Sequence, residues 1–266
     1  MEKVLVTGPT AGIGRAAVLA LAGMGRHVIA AGRSETKLET LMREIEEVGG
    51  TAEWVKIDLA SLRSVTEAAA EILDRHDRID VLVNNAGVGA SRGATRDRFQ
   101  LQFGVNHLAH FHLTELLAPV LGEGSRVVQL TSEMHKRVDG IDFGRLRRPT
   151  RTWQGIRAYS ASKLANLLFA RELAKRRPEL RTYAVHPGLV DTGIFPWFAK
   201  PFLGNALTPE QGADTVVWCA SEPSLSNSTG GYWARRSERE PSAAARDDAL
   251  ATELWERSEE WCRPFH

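Results

Sequence analysis

Along this chain, short unbroken apolar runs alternate with longer stretches whose apolar residues recur at helical spacing. Lys3-Val4-Leu5-Val6-Thr7, His27 to Ala31, Val81-Leu82-Val83, Arg126 to Leu130 and Arg181 to Val185 read as strands buried on both faces. Thr51 to Ile57 alternates as a further strand, and Gly230 to Ala234 reads as a last short one. Between them lie helical patterns at Arg15 to Met24, Ser34 to about Val48, Ser61 to Arg75 and Asp97 to Leu121. A further helix, carrying Tyr159, runs to about Arg176, where Pro178 marks its end. Thr208-Pro209-Glu210-Gln211 combines a capping box with proline at the first helical position and opens a helix to about Ala220. A closing helix runs from Ser242 through Trp255 and Trp261. Asn106, beside Gly104, competes for backbone bonds in mid-helix, so the 97–121 pattern is expected to kink there. Strands and helices in alternation predict an α/β fold: a doubly wound parallel sheet of about seven strands, helices on both faces, in a single domain over 1–266.

The turns after the strands carry the chemistry. Gly8-Pro9-Thr10-Ala11-Gly12-Ile13-Gly14 joins the first strand to the first helix, the order of a Rossmann-type phosphate cradle. Glycines let the backbone approach a pyrophosphate, and the helix start offers unpaired N–H groups and positive dipole. The place after the second strand where an acid would take a ribose 2′-OH holds Gly32 and Arg33 instead. Arg33, with Arg15 just past Gly14, suits a 2′-phosphate and predicts NADP(H) as cofactor. Asp58-Leu59 follows the third strand where an adenine would lie, and Asn84-Asn85-Ala86-Gly87 follows the fourth, where its amides can pin a strand end.

Tyr159 and Lys163 stand four apart on one helix face. An ammonium beside a phenol favours the phenolate and draws its pKa down from about 10, toward values suited to proton transfer in both directions. Taken alone, the pair reads first as a buried tyrosine capped by a snorkelling lysine, and it is the rest of the chain that overturns this. The segment from Glu133 to Arg157, with Arg145, Arg147, Arg148 and Arg151, reads either as a lid or as a solvated loop. Ile194 to Leu207 is aromatic without clear periodicity: Phe195, Trp197 and Phe198 are candidate substrate contacts in a lid of about 189–207, and residues from about 235 to 266 form a C-terminal extension.

Bulk properties exclude more than they assign. At 43% apolar and 25% charged the chain is an ordinary globular one, and a net charge of +1 announces no nucleic-acid partner. No apolar run reaches membrane-spanning length. The strand pattern beginning at Lys3 leaves no room for a signal peptide, and Cys219 and Cys262 lack metal spacing, so they read as reduced thiols in a cytoplasmic protein. His107, His110 and His112 lack the spacing and the accompanying Glu of a zinc-protease helix, so no metal is expected.

Together, Thr7-Gly8-x-x-x-Gly12-x-Gly14, Asp58, Asn84-Asn85-Ala86-Gly87, Asn106, Ser132, Tyr159-x-x-x-Lys163 and Pro187-Gly188 with Thr192 resemble the short-chain dehydrogenase/reductase family over nearly the whole chain. Val105-Asn106-His107-Leu108, Ser162-Lys163-Leu164-Ala165-Asn166 and Val185-His186-Pro187-Gly188 are similar to its retinol dehydrogenase-like group, as is the tail around Gly230-Gly231-Tyr232-Trp233 and Leu254-Trp255-Glu256. The resemblance implies hydride transfer between NADP(H) and a carbonyl carbon, with Tyr159 protonating the oxygen. It implies Lys163 as the group that depresses the phenol pKa and holds the nicotinamide ribose, Ser132 as hydrogen-bond donor to the alkoxide, and Asn106 as holder of a water on a proton path. Pro187, Gly188 and Thr192 would frame the carboxamide. Reduction of an activated C=C bond, as in the related protochlorophyllide reductase branch, and a non-catalytic dinucleotide-sensing regulator are the alternatives. A homodimer or homotetramer paired through the Tyr159 helix is implied by the same likeness. Two departures, no N-terminal membrane anchor and an arginine-rich 133–157 segment, turn the expected substrate away from retinol itself.

Overall fold

The computed structural model describes residues 1–191 and 206–266. Eight strands form one sheet: β1 (Lys3–Thr7), β2 (His27–Gly32), β3 (Thr51–Lys56), β4 (Val81–Asn84), β5 (Arg126–Leu130), β6 (Arg181–Val185), β7 (Gly231–Ala234) and β8 (Ser237–Arg239). Their order is β3-β2-β1-β4-β5-β6-β7-β8, parallel up to β7, with β8 antiparallel to β7. The winding reverses between β1 and β4, and ligand crevices form at such a switch point, outside the carboxyl ends of the strands. The eighth strand exceeds the sequence expectation. It is a short Ser-Glu-Arg edge, wholly exposed, and its hairpin turn places Arg235 and Arg236 both at φ +54. Such turns ordinarily announce themselves by Asn-Gly, so nothing in the sequence marks this one.

Alternation along the strands divides the core. Val4, Val6, Val28, Val83 and Val185 face α1 (Gly12–Gly23), α2 (Glu35–Glu47) and α7 (Pro209–Ser221). Leu5, Ile29, Leu82 and Val127 face α3 (Leu62–Arg75), α6 (Gly155–Arg176) and α8 (Asp248–Cys262). Ser34, Ser61 and Thr208 cap α2, α3 and α7 by accepting from backbone N–H groups, as their positions predict. The C-terminal extension belongs to this core: Trp255 is buried against Phe111 and Phe169, with ring centroids 4.9 and 5.8 Å away.

The expected kink is a π turn. Helix α4 (Leu101–Phe103) passes into a π-helical turn at Gly104–Leu108, and α5 (Ala109–Leu116) continues from it. The helix begins later than its pattern suggests, because Arg98 sits at φ +64 in a tight turn closed by Thr95 N–H donating to the Phe99 carbonyl. Gly104 permits the irregularity: a Cβ there would stand 2.3 Å from Thr95 Cγ2. π turns insert one residue into a helix and recur at functional sites.

The arginine-rich segment is neither free loop nor wholly solvated. Thr150 is buried and donates to Gln102 Oε1 at 2.7 Å, and Arg147 lies 3.9 Å over the Phe99 ring. This places the segment as a wall on α4. Among the described residues, no helix is long and apolar enough to cross a membrane.

Candidate active site

A cleft of about 600 Å³ runs along the carboxyl ends of the strands. Its floor is the first turn, where Gly8 and Gly12 take φ of +64 and +52. Gly14 is required by contact instead: a Cβ there would stand 2.2 Å from the Gly8 carbonyl oxygen and 2.4 Å from Asn85 Nδ2. Asn85 Nδ2 donates to the carbonyls of Thr7 and Gly8 at 2.8 and 3.2 Å, which ties the end of β4 to the glycine turn. At the start of α1, Ala11 supplies no side-chain cap and the first turn carries no acid, so the orphan N–H groups remain for an anion. Gly8, Thr10, Gly12, Ile13, Gly14, Asn85, Ala86 and Gly87 all line the cleft. A pyrophosphate fits this cradle in charge and in close backbone approach.

At the adenosine end the cleft is lined by Arg33, Ser34, Lys37, Asp58 and Leu59. Arg15, expected beside a 2′-phosphate, has another partner here. Arg15 does not line the cleft; its Nε donates to Glu44 Oε2 at 2.8 Å, and that carboxylate raises the guanidinium pKa. Lys37, which no motif singles out, stands at the cleft beside Arg33. Asp58 spends one carboxylate oxygen on the Ala60 N–H at 3.1 Å and pairs the other with Arg96 at 3.2 Å, so it shapes the wall as a turn-former.

At the other end Tyr159 and Lys163 line the cleft from α6, and Pro187 from the end of β6. The Ser132 hydroxyl lies near enough to the Tyr159 phenol to favour its ionised form. Lys163 is buried, its Nζ donating to the Leu130 carbonyl at 3.0 Å and lying 5.7 Å from the Tyr159 ring centroid. Asn106 is fully buried. Its Nδ2 donates to the Val88 carbonyl at 3.1 Å and to Ser162 Oγ at 2.9 Å, while Oδ1 accepts from Val88 N at 2.8 Å. The π turn thus anchors both the loop after β4 and the helix carrying Tyr159.

The electrostatics differ from the sequence expectation. Burial raises the Tyr159 phenol pKa above its ordinary value, against a smaller lowering by the Ser132 hydroxyl. Burial also lowers the Lys163 ammonium to about 8. The reason is common to both: the groups sit where charge of either sign is poorly solvated. The expected depression of the phenol by Lys163 is therefore not found in this state of the site. At neutral pH the phenol holds its proton and the lysine remains mostly charged.

Gly188, next to Pro187, adopts φ +94, and a Cβ there would stand 2.6 Å from Leu207 Cδ1. Val190 and Leu207 form a parallel bridge, Asp191 N–H donating to the Leu207 carbonyl at 3.0 Å and Leu207 N–H to the Leu189 carbonyl at 2.8 Å. The 189–207 stretch is thereby pinned at both ends. Thr192, Phe195, Trp197 and Phe198 lie outside the described residues.

Residues 2–141 match the family model described as short chain dehydrogenase. The chain belongs to that family. Among its relatives, the human dehydrogenase/reductase SDR family member 13 is 40% identical, over 96% of this chain and 71% of that one. Human retinol dehydrogenase 14 is 37% identical, over 97% of this chain and 85% of its own. A variant of the actinorhodin polyketide ketoreductase, crystallised with NADPH, superposes with a TM-score of 0.70 at 25% identity, covering 87% of this chain and 94% of that one. This short-chain dehydrogenase is thus an oxidoreductase of the retinol dehydrogenase-like group, as its motifs suggested.

The dehydrogenase also holds its strand ends and turns by side-chain hydrogen bonds that residue spacing does not show. Thr7 Oγ1 accepts from the Asn85 and Ala86 N–H groups at 3.0 and 3.1 Å. His135 Nδ1 donates to the Ser132 carbonyl at 2.7 Å, and its Nε2 accepts from Ser242 N at 3.2 Å, hooking the C-terminal extension onto the serine turn. The three histidines weighed as metal ligands are buried: His107 meets Ser258, His110 meets Thr7, and His112 meets Thr66.

Proposed function

We propose that this chain is an NADP(H)-dependent oxidoreductase that interconverts an aldehyde or ketone with an alcohol, on a fairly bulky and largely apolar substrate. The observation that carries the reading is a single cleft that brings Tyr159 and Lys163 to one end and a glycine cradle to the other. Bound there, the dinucleotide supplies the hydride. Its pyrophosphate would lie on the α1 N-terminus, its adenosine between Arg33 and Asp58, and its ribose beside Lys163.

The chain's own residues then handle the proton. Tyr159 holds it at the phenol oxygen, because burial keeps the neutral form favoured, and it gives that proton to the substrate oxygen as negative charge develops there. Ser132 Oγ accepts from Met134 N at 3.3 Å, and its hydroxyl hydrogen would turn from the phenol to the same substrate oxygen. Lys163, mostly ammonium at neutral pH, stabilises the phenolate that remains. Leu101 and Val105 contribute apolar surface near that end of the cleft. NADPH oxidation measured across aldehydes, ketones and quinones of graded size tests the reading; turnover with none of them would sink it.

The cofactor preference has its own test. Arg33 and Lys37 both line the adenosine end, and a charge-assisted hydrogen bond to a 2′-phosphate contributes about 1.5–3 kcal/mol. Arg33→Ala should therefore erase most of the advantage of NADPH over NADH in kcat/KM, whereas Arg15→Ala should leave the ratio nearly unchanged. A wild-type preference for NADH would end the NADP(H) reading.

Substrate bulk is tested by a homologous aldehyde series. If the aromatic residues of 189–207 cover an apolar chain, kcat/KM should rise by about fourfold per added methylene until burial is complete, and Trp197→Ala should raise KM selectively for the long members. A flat series would remove these aromatics from the substrate site.

A further inference from the structure

Between the glycine cradle and the catalytic turn lies one imidazole that bridges them. His110, on α5, is fully buried. Its Nδ1 stands 3.0 Å from the Asn106 carbonyl oxygen and its Nε2 stands 2.9 Å from Thr7 Oγ1. A carbonyl only accepts, so the proton of the neutral ring resides on Nδ1 and Nε2 presents a lone pair. The Thr7 hydroxyl must then donate to Nε2, a shorter contact than its alternative at the Val83 carbonyl, 3.4 Å away. With its hydrogen so placed, Thr7 Oγ1 accepts from both the Asn85 and the Ala86 N–H groups. One arrangement of protons satisfies every member of the chain from Asn106 to Ala86. Burial, assisted by the nearby Lys163 charge, keeps the ring pKa down at about 4, so this arrangement persists at neutral pH.

The neighbouring histidines do not bridge in this way. His107 and His112 each use Nε2 on a hydroxyl and leave Nδ1 without a partner. Neither reaches the cradle.

We propose that His110 is a positioning residue, locking the turn that carries Asn106 to the strand ends that hold the dinucleotide. It does not line the cleft, and it acts through Thr7 on one side and Asn106 on the other. The functional consequence rests on the cofactor reading above, while the proton arrangement does not.

The arrangement is read first, by ¹⁵N spectra of histidine-labelled wild-type protein, with His110 assigned through its own backbone resonances. A neutral ring protonated on Nδ1, unchanged across the neutral pH range, is expected. A ring protonated on Nε2, or one that titrates near neutrality, overturns the proposal without any need for a folded variant.

Two variant cycles then read the coupling. Thr7→Val and His110→Phe should each weaken NADPH binding by about tenfold in a fluorescence titration, and the double variant should be no weaker than either single. His110→Phe should likewise lower kcat in the presence of Asn106 but add nothing to the loss in Asn106→Ala. A residue that merely fills space would give additive losses in both cycles, and that result would overturn the assignment. Should the wild type bind NADH instead, the same cycles are read with NADH, so failure of the cofactor reading remains separate from failure of this one.

Discussion

Tyr159→Phe should lower kcat by about 10²–10⁴ and leave NADPH affinity within a few-fold of wild type, the usual effect of removing a positioned general acid. The structure explains both halves. Burial keeps the phenol hydroxyl protonated and ready to donate. The ring itself, which forms part of the cleft wall, survives in phenylalanine. Asn106, Ser162 and Lys163 keep their partners, because none of their bonds runs through the phenol oxygen. Steady-state kinetics and a dinucleotide titration on the same preparation separate the two effects. A variant that keeps most of its kcat would remove Tyr159 from the chemistry, and one that loses NADPH binding as well would make it a structural residue of the cleft.

Gly14→Ala is expected to damage folding and cofactor binding together. The new methyl would stand 2.2 Å from the Gly8 carbonyl oxygen, which is backbone and cannot swing aside. Either α1 retreats from β1 or the glycine turn opens, and both spoil the cradle. Overpacking of this kind costs about 1–3 kcal/mol or more, so Tm should fall by about 5 °C or more in a chain of this size. Added NADPH, which should raise the wild-type Tm by mass action, should raise that of the variant little. Gly23→Ala serves as the control on the same helix: nothing lies within 4 Å of its added methyl, and alanine favours the helix. Equal behaviour of the two variants would show that propensity matters at these sites and contact does not.

The parts of the molecule legible from sequence are those in which one local signal suffices. Val4 to Val6 sit wholly buried because a run with no polar break fits only a strand covered on both faces. Ser34, Ser61 and Thr208 cap their helices from positions that a single side chain determines. Features that depend on distant partners were read less well. Arg15 follows the glycines in sequence, yet Glu44 on the adjacent helix claims its guanidinium. Nothing local in the sequence marks Lys37, and it is the packing of α2 that sets it at the cleft. The phenol shift was misjudged because burial, a tertiary property, outweighs a charge that sequence spacing alone can place. His110 was weighed only as a metal ligand, since its hydroxyl partner lies 103 residues away in the chain.

The bridge between Val190 and Leu207 divides what selection can alter independently. Its hydrogen bonds close the stretch between them at the base, and Gly188 packs on Leu207 on the sheet side of that closure. The glycine turn and the strand ends that line the cleft lie outside that stretch. The strand that presents Pro187 is held by its pairing with β5 and β7 instead. Residues 192–205 and the strand ends that line the cleft are therefore separate stretches of the gene, open to mutation one without the other.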